Sequence, residues 1–163
     1  VLQDLEPIPE TSPFSLIIKH HFTGFARQSL NDRAGARKSF EKGARFCRDG
    51  LSQSPGNALY RQYLGEFYAY LGRGDEAIRE ARLAVDATSR DLFAGPQQLE
   101  SLAKVYGITG RHDEAFELLE RLLVMQYAEP LSVHLLRLDP KWDPLRADPR
   151  FKELLVKHAD KAS

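Results

Sequence analysis

Residues 64–77 decide the fold of this chain and read Leu-Gly-Glu-Phe-Tyr-Ala-Tyr-Leu-Gly-Arg-Gly-Asp-Glu-Ala. The stretch predicts the end of one helix, a tight turn at Gly72 and the start of a second helix, because glycine readily adopts the left-handed conformation that closes a helix. A similar stretch, Leu-Ala-Lys-Val-Tyr-Gly-Ile-Thr-Gly-Arg-His-Asp-Glu-Ala, recurs at residues 102–115. Equivalent residues lie 38 positions apart (102 − 64). A repeated unit of this size is typical of stacked helical repeats.

The composition limits the partners that the chain can attract. Lys and Arg together number 23, as do Asp and Glu, so the formal net charge of the 163 residues is zero. A nucleic-acid or anionic-membrane surface needs a clustered basic excess, and we therefore expect neither class of partner. The hydrophobic content of 42% is that of a folded globular chain. No apolar run approaches the roughly 20 residues that cross a bilayer.

The single cysteine and the first residue bear on location and processing. Because Cys47 is alone, the chain can form no intrachain disulfide and lacks a metal-binding cysteine pair. A reducing compartment fits this composition, and we expect a cytoplasmic protein, with export as the alternative. The chain begins at Val1 rather than Met, so we expect a fragment, a processed product or a trimmed chain.

Apolar residues recur at helical spacing in six segments, and no stretch shows sustained strand alternation, so we predict an all-α chain. Ser12 and Asn57 are expected to cap the first and third helices. The third helix has the clearest apolar stripe, at i, i+3, i+4, i+7, i+8 and i+11, formed by Tyr60, Tyr63, Leu64, Phe67, Tyr68 and Leu71. Residues 88–96 are predicted to form an irregular connection in which Leu92 and Phe93 pack against the helices.

The tail contains three Asp-Pro steps, at residues 139–140, 143–144 and 148–149. Each predicts a helix start, with Asp as the cap and Pro at the first helical position. Apolar residues between them, such as Trp142 and Leu145, predict short helices that cover the open end of a helical stack.

The two units resemble tetratricopeptide repeats. That family places a large apolar, a small and an aromatic residue on the first helix of a repeat, and an alanine early on the second. The matching positions here are Leu64, Gly65, Tyr68, Ala77, Leu102, Ala103, Tyr106 and Ala115. The resemblance implies a short right-handed superhelix of about three antiparallel helix pairs over residues 13–128. It leaves residues 1–12 as a lead-in and residues 129–163 as capping helices.

This sequence departs from the family pattern in two ways. The repeat is longer than the usual period of about 34 residues, and the first unit is degenerate, so either Ala34 or Ala36 could be its packing alanine. Residues 136–151 are similar to a tail that ends tetratricopeptide modules of large bacterial proteins. There the module follows a protein kinase, a nucleotide cyclase or a winged-helix regulator, which implies that this chain is the C-terminal part of such a protein.

No cluster of residues predicts catalysis. His20 and His21 are adjacent, and neighbours on a helix point about 100° apart, so they make a poor metal pair. Cys47 lies on an apolar stripe and is expected to be a core residue. The paired acids at residues 75–76 and 113–114 fit helix starts, where carboxylates are favoured. We therefore expect no enzymatic activity, no cofactor and no metal.

The resemblance also implies a protein-binding surface, because the first helices of successive repeats line a concave groove in that family. The groove-facing positions, called here the predicted groove, hold Gln62, Glu66, Tyr70, Gln97, Ser101 and Lys104. The family's clamp for the C-terminal carboxylate of chaperones needs Lys and Asn on one repeat and Lys and Arg on the next. The matching positions lack these residues, so we expect no such clamp. A solvated face without a partner is the alternative.

The sequence thus predicts a non-catalytic scaffold for protein–protein interaction, within a larger bacterial signalling or regulatory protein. The alternative is a structural module that docks on an upstream catalytic or regulatory domain and has no ligand of its own.

Overall fold

The structure is a computed structural model that describes residues 12–127 and 130–159. Helices account for 78% of the described residues, and these residues form no strand, which confirms the all-α prediction. Residues 1–11 of the predicted lead-in and the predicted boundary at residues 128–129 lie outside the described residues. In chain order, the helices are α1 (Pro13–Ser29), α2 (Arg33–Gln53), α3 (Ala58–Tyr70), α4 (Gly74–Ala87), α5 (Ala94–Ile108), α6 (His112–Leu122), α7 (Val133–Leu138), a 3₁₀ helix (Pro140–Trp142), α8 (Asp143–Arg146) and α9 (Pro149–Lys157).

The chain divides into two compact units, with the boundary between Ala87 and Thr88. In unit 1, α1 packs on α2, α2 on α3 and α3 on α4. In unit 2, α5 packs on α6, α8 and the 3₁₀ helix, and α6 packs on α9. Each unit is therefore built from helix pairs, as the periodicity of the sequence predicts.

Side-chain caps fix where the helices of unit 1 begin. The Oγ of Ser12 accepts a hydrogen bond from the backbone N–H of Ser15 at 3.1 Å, and Oδ1 of Asn57 accepts one from Tyr60 at the same distance. Both caps are confirmed. Asp32 caps α2 in the same way. These bonds satisfy N–H groups that the first turn of a helix leaves unpaired.

The turns that close α3 and α5 are alike in detail. Gly72 and Gly110 both have φ of 77°, the left-handed region that favours glycine. In each turn the N–H of the arginine after the glycine donates to the carbonyl oxygen of the tyrosine five residues earlier, Tyr68 or Tyr106, at 2.8 Å. The repeated sequence therefore produces a repeated local structure.

The helices of the α3–α4 pair approach closely because position 65 has no side chain. A Cβ placed on Gly65 would lie 3.0 Å from the carbonyl oxygen of Ala77 and 3.1 Å from the backbone nitrogen of Ala81. In the first pair, Ala36 is buried and Ala34 is exposed. Of the two alanines that the sequence left as alternatives, Ala36 is therefore the one that packs in the interior.

The connection between the two units differs from the prediction. Leu92 and Phe93 are 91% and 61% exposed, so the prediction that they pack against the helices is wrong. The irregular segment is also shorter, since α5 begins at Ala94 and includes Pro96 in its first turn. Asp91 accounts for this start, because its carboxylate accepts the backbone N–H groups of Phe93 and Ala94, both at 2.9 Å.

The tail forms short helices, and two of its three Asp-Pro steps act as predicted. Asp139 caps the 3₁₀ helix and Asp148 caps α9. At the remaining step a helix also begins, but the predicted cap is wrong: Asp143 lies inside the first turn of α8 and pairs with Arg146 at 2.8 Å. Within unit 2, α8 packs on α5, with Leu145 beside Gly107. None of the described helices has the length and apolar character needed to cross a membrane.

Candidate binding site

The structure buries half of the predicted groove. Less than a tenth of the surface of each of three of its members is exposed, namely Glu66, Ser101 and Lys104. Gln62 and Tyr70 are half-buried, and Gln97 is exposed. Buried side chains offer little surface to a partner, so the accessible members are Gln62, Tyr70 and Gln97. The binding role of the predicted groove stays a prediction.

Glu66 connects α3 to α1 inside unit 1. Its Oε2 lies 2.9 Å from Nε2 of His21, and the imidazole is surrounded by aromatic rings. The centroids of Tyr63 and Phe67 lie 5.6 Å and 5.9 Å from that of His21, both edge-on. The contact explains why a charged side chain is tolerated in this interior, since a buried carboxylate needs a hydrogen-bonding partner.

The buried carboxylate also affects Cys47. Burial raises the pKa of the Cys47 thiol to about 12, and the negative charge of Glu66 adds to this effect. The same two causes raise the pKa of Tyr63 to about 12. Cys47 is fully buried, as expected of a core residue, and the protonated form that a raised pKa favours is a poor nucleophile.

Unit 1 has a pocket of about 600 Å³, which we call the arginine pocket. It lies where the end of α1, the start of α2 and the end of α3 come together. Its lining comprises four polar or charged residues and four apolar or aromatic ones: Gln28, Asn31, Arg33, Arg37, Ala36, Phe40, Tyr70 and Leu71. Its volume falls within the range of known ligand pockets, roughly 300–1,000 Å³.

A stacked aromatic pair lines the inner side of the arginine pocket. The rings of Phe40 and Tyr70 are nearly parallel, at 14°, with centroids 4.7 Å apart. Phe25 meets Tyr70 edge-on at 5.7 Å. Phe40 is buried and Tyr70 is half-buried, so Tyr70 is the ring of this pair that a ligand can reach. Tyr70 is also the residue through which the predicted groove contributes to this pocket.

Two arginines give the pocket its charge. Arg33 and Arg37 are exposed and lie four residues apart, on one face of α2. Nε of Arg37 donates to Oε1 of Glu41 at 2.9 Å, in a pair that is mostly exposed on both sides. Within the part of the chain that the structure describes, no acidic side chain forms an ion pair with Arg33. The neighbouring carboxylate of Asp32 accepts the N–H of Gly35 at 2.8 Å.

The arginine pocket was not predicted from the sequence. The i, i+4 spacing of Arg33 and Arg37 was the available signal, because like charges at that spacing repel on a helix. The aromatic side of the pocket gave no local signal, since Phe40 and Tyr70 belong to different helices and meet only in the folded chain.

In residues 12–127 and 130–159, no group of three or more His, Cys, Asp or Glu side chains is placed to bind a metal ion.

Comparison of the sequence with protein-family models and with curated proteins finds no match in either case. The resemblance to tetratricopeptide repeats therefore rests on the repeated residues themselves.

Proposed function

We propose that the chain is a non-catalytic protein-binding module made of tetratricopeptide-like helix pairs, within a larger bacterial regulatory protein. The observation that carries this proposal is the duplicated unit. The α3–α4 and α5–α6 pairs share the glycine turn, the hydrogen bond that closes it and an ion pair between arginine and glutamate, Arg73–Glu76 and Arg111–Glu114. Repeated helix pairs of this kind form extended surfaces that bind other proteins.

The arginine pocket supports a binding role. Aromatic residues and arginine are the types that contribute most binding energy at protein interfaces. Here two arginines lie beside the stacked rings of Phe40 and Tyr70, at a concave part of unit 1.

Site-specific photo-crosslinking in an extract of the source cells tests the proposal. A benzophenone side chain would replace Gln28, at the arginine pocket, or Gln97, in the predicted groove. Matched controls would carry it at the exposed residues Lys42 on α2 and Lys152 on α9. We expect a defined protein to crosslink from a test position and from neither control. The same products from all four positions, or none from any, would refute the proposal.

A second candidate function, docking on an upstream domain, is favoured by exposed aromatic side chains on α1. Phe14 is 41% exposed and Phe22 is 55% exposed. An apolar surface left uncovered in solution is expected to associate with another copy. We expect sedimentation velocity to detect self-association of the chain and Phe22→Ser to weaken it. A monomer at high concentration would count against docking.

A further inference from the structure

We propose that the arginine pocket binds an acidic segment of a partner protein, in which a carboxylate side chain stands next to an apolar one. This inference rests on the proposed protein-binding function and specifies the chemistry of the partner. Three features of the pocket carry it: its charge, its aromatic side and its two amide side chains.

Arg33 is the residue that would bind the carboxylate of the acidic segment. It has no ion-pair partner among the described residues, and its planar guanidinium can donate two parallel hydrogen bonds to one carboxylate. Arg37 is available as well, because its pair with Glu41 is exposed on both sides and such pairs are weak. None of the eight residues that line the pocket is acidic. The charge of the lining therefore favours an anionic ligand.

The aromatic side of the pocket would contact the apolar side chain of the acidic segment. Tyr70, which stacks on the buried Phe40, and Leu71 are both half-buried and present the apolar part of the pocket surface. A free inorganic anion would leave this surface uncovered. A side chain such as leucine or phenylalanine would cover it and remove apolar area from water.

The polar residues of the pocket can form hydrogen bonds with the backbone of a bound peptide. Gln28 and Asn31 each have an amide that both donates and accepts hydrogen bonds, as the N–H and C=O groups of a peptide require. A pocket of about 600 Å³ also exceeds what one carboxylate needs. A short segment with alternating acidic and apolar side chains satisfies all three features.

The experiment is a titration of the ¹⁵N-labelled full chain, followed by NMR, with three synthetic peptide pools of equal length. The first pool alternates Asp or Glu with Leu or Phe. The second replaces each acid by Asn or Gln, and the third replaces each acid by Lys or Arg. We expect the acidic pool to shift the amide signals of Gln28, Asn31, Ala36 and Leu71. Because hydrogen bonds to charged groups are the stronger kind, we expect the other pools to bind at least about tenfold more weakly.

A matched pair of variants links binding to the pocket. Arg33→Glu should weaken binding of the acidic pool at least about tenfold, since it replaces attraction by repulsion. The same change at Arg48, also exposed on α2 but outside the pocket, should change affinity less than about threefold, because exposed charges are screened over a distance of about 10 Å. Arg33→Glu does not threaten folding, because an acidic residue is favoured in the first turn of a helix.

The outcomes separate this inference from the proposed function. Equal binding of the three pools, or binding of the acidic pool that is unchanged by Arg33→Glu, would overturn the inference and leave protein binding in place. Failure of the acidic pool to bind the folded chain would also overturn it. The crosslinking result at Gln97 would then decide separately whether the chain binds a protein.

Discussion

Replacing Gly65 by leucine tests the close packing of α3 on α4. A Cβ at this position would lie 3.0 Å and 3.1 Å from backbone atoms of Ala77 and Ala81, and 3.3 Å from the Ala81 methyl group. Backbone atoms cannot rotate away as the end of a side chain can, so α4 has to shift to make room. Ala77 is itself fully buried, and we expect Ala77→Phe to act in the same direction.

Two opposing effects set the magnitude. Removing a glycine from a helix interior stabilises the helix by about 1 kcal/mol. Overpacking a close interface costs about 1–3 kcal/mol. For Gly65→Leu, which adds a whole side chain against backbone, the upper end of that cost applies, and the net loss is about 2 kcal/mol. In a chain of this length, such a loss lowers the Tm by about 4–8 °C.

The assay is thermal unfolding of the full chain, followed by circular dichroism at 222 nm. Gly56→Ala is the control, because a Cβ at Gly56 would meet no atom within 4 Å. We expect the control to unfold at or slightly above the wild-type temperature, since it restricts the unfolded chain. If Gly65→Leu lowers the Tm no more than Gly56→Ala does, the close packing of α3 on α4 and the repeat assignment are both wrong.

Further predictions concern the two glycine turns, one in each unit, and the interior of unit 1. Gly72→Ala and Gly110→Ala should each cost about 1 kcal/mol in urea unfolding, because an L side chain is strained at positive φ; effects as small as that of Gly56→Ala would contradict this. The Cys47 thiol should resist an aromatic disulfide reagent at pH 8 and react once urea unfolds the chain; rapid labelling of the folded chain would refute its burial. The pKa values of Cys47 and Tyr63 rise on folding from 9.0 and 10.0 to about 12, so the folded state favours their neutral forms. This stabilisation is complete below about pH 9 and lost as the pH rises towards 12, so the Tm should fall over that window, and less steeply in Tyr63→Phe.

The helix pairs could be predicted because their causes are local. The glycines at the ends of α3 and α5, the caps at Ser12 and Asn57 and the apolar stripes all act over a few residues. Such interactions depend on neighbours along the chain, which the sequence displays directly. The choice between Ala34 and Ala36 needed the folded structure, since both residues lie near the start of α2 and only their packing separates them.

Burial was harder to predict than helix formation. Leu92 and Phe93 are apolar and were expected inside, yet the turn that Asp91 stabilises leaves both exposed. Glu66 is charged and was expected on an open surface, yet it is buried beside His21. In both cases, the outcome depends on groups that are brought together by packing and not by sequence distance.

The sequence by itself determined that this chain is helical, where its helix pairs turn and which small residues lie between them, because backbone preferences and periodicity are properties of short stretches. The tertiary structure alone decided that Arg33 and Arg37 meet Phe40 and Tyr70 around one pocket. That meeting joins the start of α2 to the end of α3. The physical reason is that burial and electrostatic environment are sums over neighbours in space, and those neighbours are fixed only when the helices have packed.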